Sequence, residues 1–182
     1  MFQDFVKEGI KAKFNDNINN FDKKNCIKKV ISFCEKHGLD KEYQDFYINE
    51  ISQKNKFIIA LFEKEPLKQN LPEKLFFEYV NNKDVVQLPQ GSNSIKFGNS
   101  KAADFVYNEI YFTLKYTTTA GGSQDNQKND VILFLNEGIK SNMKVGAVVD
   151  GDYWNERILE LKKIFPNIFT VDEFKDFISG RT

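Results

Sequence analysis

Residues 104–127 read DFVYNEIYFTLKYTTTAGGSQDNQ, and this stretch decides what kind of sheet the chain builds. Ala102–Val106 and Ile110–Tyr116 are rich in β-branched and aromatic residues. Only Tyr107-Asn108-Glu109 separates them, which predicts a hairpin. Alternate residues of a strand share a face, so Tyr111, Thr113 and Lys115 point the same way. Pairing across the hairpin sets Asp104 opposite Phe112 or Thr113, so its carboxylate lies beside Thr113 and Lys115. Thr117–Ser123 is then an exposed loop carrying Gly121-Gly122. After it, Gln124–Asn136 has helical character, with Val131, Phe134 and Leu135 turned inward.

That juxtaposition has a chemical meaning. A carboxylate at a strand end can hold Mg2+ against a phosphodiester, and the main-chain carbonyl of Leu114 can supply another ligand to the metal. The Lys115 ammonium can orient an attacking water and stabilise developing charge. Gly121-Gly122-Ser123, just ahead of a helix, offers backbone N–H groups to an anion. The loop lacks the Lys-Ser/Thr ending of a P-loop, so nucleotide binding is not expected.

Working outward, Val145–Val149 is a short apolar strand. Asn155–Phe165 is an amphipathic helix ended by Pro166, and Ile168-Phe169-Thr170 is a last short strand. Thr170 and Glu173 form a capping box for a terminal helix over Val171–Ser179. Upstream, Val85–Leu88 is a candidate strand, followed by a polar loop over Gln90–Ser100. Pro72 suits the first turn of a helix whose buried face is Leu75, Phe76, Tyr79 and Val80. The first third reads as helices. Asp22 caps one over Lys23–His37, which Gly38 closes, and Asp40 caps a second that carries Tyr43, Phe46, Tyr47 and Ile51 as a stripe. Phe57–Phe62 is a short apolar segment. The expected fold is α/β of the mixed α+β kind, with a helical region over 1–70 and a central mixed sheet flanked by helices over 71–182.

Composition narrows the function. Lys and Arg number 26 against 26 Asp and Glu, which excludes a protein that packs nucleic acid non-specifically but leaves room for a localised DNA cleft. The clusters Lys23-Lys24, Lys28-Lys29 and Lys54 with Lys56 read as a solvated helix face. One His and two Cys cannot furnish a His/Cys zinc site. Cys26 and Cys34 lie about 12 Å apart along one helix, too far for a disulfide. His37 fits a helix end and gives no support to a Ser-His-Asp or Cys-His mechanism. Asp150, Asp152 and Glu156 read as a solvated loop and helix start. No apolar run reaches membrane-spanning length, and the N-terminus lacks signal-peptide character, so a cytoplasmic protein is expected.

The order of Glu78 on a helix, Asp104, and Lys115 on the next strand resembles the PD-(D/E)XK nuclease superfamily. Residues 71–182 look most similar to the cleavage domains of FokI-like type IIS restriction endonucleases. In those domains a lysine at a strand end is followed by an aromatic residue, a Gly-Gly loop and a Gln-bearing helix. Lys115-Tyr116, Gly121-Gly122 and Gln124-Asp125-Asn126-Gln127 follow that order. Val148-Val149-Asp150-Gly151-Asp152-Tyr153-Trp154 and Phe169-Thr170-Val171-Asp172-Glu173-Phe174 are similar to the later strand and helix segments. The resemblance implies a restriction-endonuclease-like fold. It implies a type II restriction endonuclease, or its cleavage subunit, that hydrolyses double-stranded DNA with Mg2+ (Mn2+ as substitute) and leaves a 5′-phosphate and a 3′-hydroxyl. By position, Asp104 would bind the metal, Lys115 would be the signature lysine and Glu78 the auxiliary helix acid. Gln124 and Gln127 would contact the DNA backbone, and the loop at Gly122 and Ser123 would approach a phosphate. One such site cuts one strand, so a homodimer or a heterodimer with another nuclease or recognition subunit is implied. Residues 1–70 would then recognise DNA, dimerise or dock on that subunit.

At one place the chain departs from the pattern. Thr113 stands where the signature has Asp or Glu two residues before the lysine, and a hydroxyl binds Mg2+ far less well than a carboxylate. Three accounts are open. The acid comes from another element, with Glu78 the best candidate, since Glu109 lies about 13 Å away along the strand. Alternatively the residue was exchanged to trap an uncleaved DNA complex. Finally, the domain is a nuclease-like module that only binds DNA or protein. A repair or junction-resolving nuclease would share the same site.

Overall fold

The computed structural model describes residues 1–63, 71–117 and 124–181, with Gln124 and Asp125 described by backbone alone. It divides into two units, Val6–Leu71 and Met1–Phe5 with Pro72–Thr182. Against the expected regions 1–70 and 71–182, Leu71 falls with the helical unit and the first five residues group with the later one. The cause is specific packing, since the Phe2 ring meets Tyr79 and Tyr116 and the Phe2 N–H donates to Asp172.

In the Val6–Leu71 unit, local chemistry sets the helix ends. The helices are α1 (Phe2–Asn19), α2 (Lys23–His37), α3 (Lys41–Ser52) and α4 (Lys56–Phe62). The Asp22 carboxylate accepts from Asn25 N–H, and Gly38 ends α2 at φ 63° with its N–H turned back to Cys34 and Glu35. That left-handed conformation is one glycine adopts without a Cβ clash. Asp40 caps α3 in the same way, through the N–H groups of Glu42 and Tyr43. The apolar segment Phe57–Phe62 is helical because the Asn55 side chain accepts from the N–H groups of Phe57 and Ile58. Cys26, Val30 and Cys34 recur at helical spacing and pack with Ile51 and Ile58 to form this unit's core. Both cysteines are free and buried there.

In the other unit, five strands lie side by side in chain order: β1 (Val86–Gln87), β2 (Phe105–Tyr107), β3 (Ile110–Tyr116), β4 (Val145–Asp150) and β5 (Ile168–Phe169). β1, β2 and β3 pair antiparallel, and β3, β4 and β5 pair parallel, so the sheet is mixed. The β2–β3 turn holds Asn108 and Glu109 at φ 47° and 63°. Both central residues thus adopt the left-handed values that a tight two-residue hairpin demands. β4 is buried along its whole length, as befits a central parallel strand covered on both faces.

Helices cover both faces of the sheet. On one face α5 (Leu71–Val80) and α8 (Val171–Ile178) bring Phe76 and Phe174 against Phe105 and Phe112. Phe105 and Phe112 are themselves stacked across the hairpin at 5.0 Å. On the other face α6 (Gln124–Lys140) and α7 (Arg157–Lys162) bury Val131, Phe134, Leu135, Ile158 and Leu161 with Ala147 and Val149. Gly146 leaves room for the ring of Phe112, its partner on β3, since a Cβ there would stand 2.4 Å from that ring. Tyr153 and Trp154 belong to this core. The Thr170–Glu173 capping box starts α8. No helix among the described residues is long and apolar enough to cross a membrane.

Candidate active site

Asp104 immediately precedes β2, and the hairpin register places it opposite Thr113. Its backbone is held on both sides: its N–H donates to the Phe112 carbonyl at 2.8 Å and its carbonyl accepts from Leu88 N–H at 2.9 Å. The expected strand over Ala102–Val106 is regular only from Phe105 onward, so Asp104 sits at the strand mouth. Its Oδ2 accepts from Leu114 N–H at 2.6 Å and from the Thr113 hydroxyl at 3.1 Å. The Lys115 ammonium stands 3.8 Å from the same oxygen. Oδ1 has no partner among the described residues. Thr113 is buried, and its hydroxyl serves to orient Asp104.

The acid that joins this pair is Glu73. It lies in the first turn of α5, accepts from Gln87 Nε2 at 3.1 Å through Oε1, and leaves Oε2 without a partner among the described residues. Burial, and then the nearby Asp104 charge, push its carboxyl above the ordinary range, against the pull of Gln87 and Lys115. A cation placed beside Glu73 and Asp104 would relieve the cost of charging Glu73 there. Glu78, the acid expected from sequence, is exposed. Five residues of α-helix turn about 500°, so Glu78 is displaced by roughly 140° from Glu73 around α5. The helical wheel held the signal, because Glu73 lies three residues before Phe76 on the buried stripe and Glu78 does not.

Beyond Lys115, the Thr117 hydroxyl donates to Gln127 Oε1 at 2.6 Å, which ties α6 to the end of β3. Using Oε1 as acceptor turns the amide NH2 of Gln127 into a donor end with no partner among the described residues. Gly122 and Ser123 lie outside the described residues, and so does the side chain of Gln124, which opens α6.

A second acidic pair corrects another expectation. Asp150 is not part of a solvated loop; it is buried at the end of β4. It accepts from Gln3 Nε2, Gly151 N–H and Val171 N–H, at 3.1, 2.7 and 3.1 Å. Burial pushes its carboxyl upward against those donors. Asp172 accepts from Phe2 N–H and the Tyr79 hydroxyl, and that hydrogen bond, with burial, pushes Tyr79 up to about 12.

Among the described residues, no three His, Cys, Asp or Glu side chains converge to hold a metal. Mg2+ needs less than such a cage, since it binds through one or two carboxylates and keeps waters and substrate oxygens as its other ligands. Asp104 Oδ1 and Glu73 Oε2 are both open oxygens among the described residues. The N–H and C=O of one strand residue project to the same edge. The Leu114 carbonyl therefore leaves β3 on the side where its N–H meets Asp104. This donor set is all oxygen, and it fits a hard divalent cation. No protein-family model, curated protein or solved structure matches the chain.

Proposed function

We propose that the chain is a Mg2+-dependent nuclease with a restriction-endonuclease-like sheet, acting on phosphodiester bonds of double-stranded DNA as a type II restriction enzyme or its cleavage subunit. The observation that carries the reading is the pairing of Asp104 with Lys115 at 3.8 Å, with Glu73 in electrostatic reach of both. A bound Mg2+ would polarise a phosphate oxygen and activate a water. Asp104, Glu73 and the Leu114 carbonyl would hold it. Lys115 stabilises charge that builds on the phosphate oxygens, and its partner Asp104 keeps the ammonium aimed at the strand mouth. Gln127, anchored through Thr117, offers its amide donors to the DNA backbone. Glu73 supplies the second acid, which leaves Thr113 to orient Asp104.

A second reading, a nuclease-like module that binds DNA without cutting it, is favoured by Thr113 at the signature position. Incubation of supercoiled plasmid with Mg2+ separates the two. Cleavage by the chain as it stands, lost in Asp104→Asn and in Lys115→Ala, supports the nuclease. Salt-dependent DNA binding with no cleavage, even after Thr113→Glu, supports the binding module.

A further inference from the structure

We infer that the exposed aromatic face of the Val6–Leu71 unit is the surface through which two copies of this chain pair. Phe33 on α2, Tyr43 and Phe46 on α3, and Phe57 and Leu61 on α4 are between 40% and 71% exposed. They are not scattered. The Phe33 ring meets Phe62 at 5.8 Å, Phe62 meets Tyr47 at 5.7 Å, and Tyr47 meets Phe46 at 5.5 Å. An unbroken aromatic run thus crosses α2, α4 and α3, and Leu61 lines a groove beside Phe33. At about 200 Å2 for a large side chain, the five present roughly 500 Å2 of apolar surface, more than half of the ~800 Å2 that each partner buries in a standard interface. That lies within the range of the largest patch on a typical monomer, which is often a functional surface.

Tyr47 and Phe62, the inner members of the aromatic run, pack on the unit's own core. The buried residues of its core cluster are Cys26, Val30, Cys34, Ile51 and Ile58.

The charges around the patch select a second copy over other occupants. On the α2 side, Lys28 and Lys36 line the groove. On the α3 side stand Glu42, beside Tyr43 and Phe46, and Asp45. None of these four side chains makes an ion pair with a described residue. One rim is positive and the other negative, so a two-fold axis through the aromatic run sets the α2 rim of each copy against the α3 rim of its partner. A self-complementary patch of this kind is what an isologous interface requires. Nucleic acid fits the lysine rim but is repelled by Glu42 and Asp45.

This inference deepens the nuclease reading, because a second copy supplies a second site, but it is tested by mass and stands or falls separately. Sedimentation equilibrium of the full chain is expected to give the mass of two chains. Phe46→Asp with Leu61→Asp, both at exposed positions, is expected to weaken pairing at least a hundredfold while helical circular dichroism is retained. Lys28→Glu with Lys36→Glu is expected to weaken it about tenfold, in line with a few exposed ion pairs. Adding Glu42→Lys and Asp45→Lys to that variant is expected to restore it. A monomer across the micromolar range overturns the inference. So does a dimer that the Phe46 and Leu61 changes leave intact, or a patch whose changes alter DNA affinity and not mass.

Discussion

Two pairs of carboxylates in the Met1–Phe5 and Pro72–Thr182 unit are put to opposite uses. Asp150 and Asp172 have all four oxygens engaged by protein donors: Gln3, Gly151 and Val171 on one, Phe2 and Tyr79 on the other. They fasten the first residues of the chain and the start of α8 to the end of β4. Asp104 and Glu73 each keep one oxygen without a partner among the described residues, and a lysine stands beside Asp104. An acid pair whose donors are all supplied by the fold is a fastening; one left with open oxygens and a nearby ammonium is arranged for something from outside. Sequence proximity does not separate these cases, whereas the donor count does.

The largest expected effect breaks the open pair. Asp104→Asn is expected to lower Mg2+-dependent plasmid cleavage by about 10³-fold or more, because metal charge stabilisation is worth several kcal/mol. Lys115→Ala is expected to lower it by about 10²–10³-fold. Rates from single-turnover nicking assays check both, with little change in unfolding free energy. The fastened pair should show the reverse pattern. Asp150→Ala strands three donors near a buried position, and urea denaturation is expected to show a loss of about 3 kcal/mol.

The smallest effect sharpens the comparison through pH. The Glu73 carboxyl is held above its ordinary value of 4.5 by burial and Asp104. Its contribution to stability is therefore full below that value and lost as pH rises through the raised folded value. Glu73→Gln removes that loss. Its melting temperature is expected to exceed the parent's at pH 7, with the gap closing by pH 4.5, which calorimetry at several pH values checks.

What was legible in the sequence follows from how far away the deciding partner lies. The caps at Asp22, Asp40 and Thr170 and the closing Gly38 depend on neighbours a few residues off, and their residue types announce them, whereas the hairpin was legible but its turn narrows to Asn108-Glu109 because Tyr107 joins β2. Alternation over Ile110–Tyr116 likewise placed Tyr111, Thr113 and Lys115 on one face and set Asp104 near the last two. The Phe57–Phe62 helix was hidden because a run apolar all round has no period, although Asn55 stood ready as its cap. Glu73 and Glu78 both meet a family pattern that asks only for a helix acid, and which of them stands near Asp104 is set by how α5 packs on the sheet. The burial of Asp150 was out of reach, since it depends on Gln3 and Val171, which are 147 and 21 residues distant.

In the proposed nuclease, Glu73 does from α5 what Thr113 does not do from β3. The most direct measurement is plasmid cleavage in Mg2+ by the chain, by Glu73→Gln, and by Glu73→Gln combined with Thr113→Glu. Cleavage by the chain, a fall of about 10–100-fold on losing Glu73, and recovery when a carboxylate returns at position 113 are the expected results. Cleavage by none of the three, or a Glu73→Gln variant that cuts as fast as the parent, would contradict it.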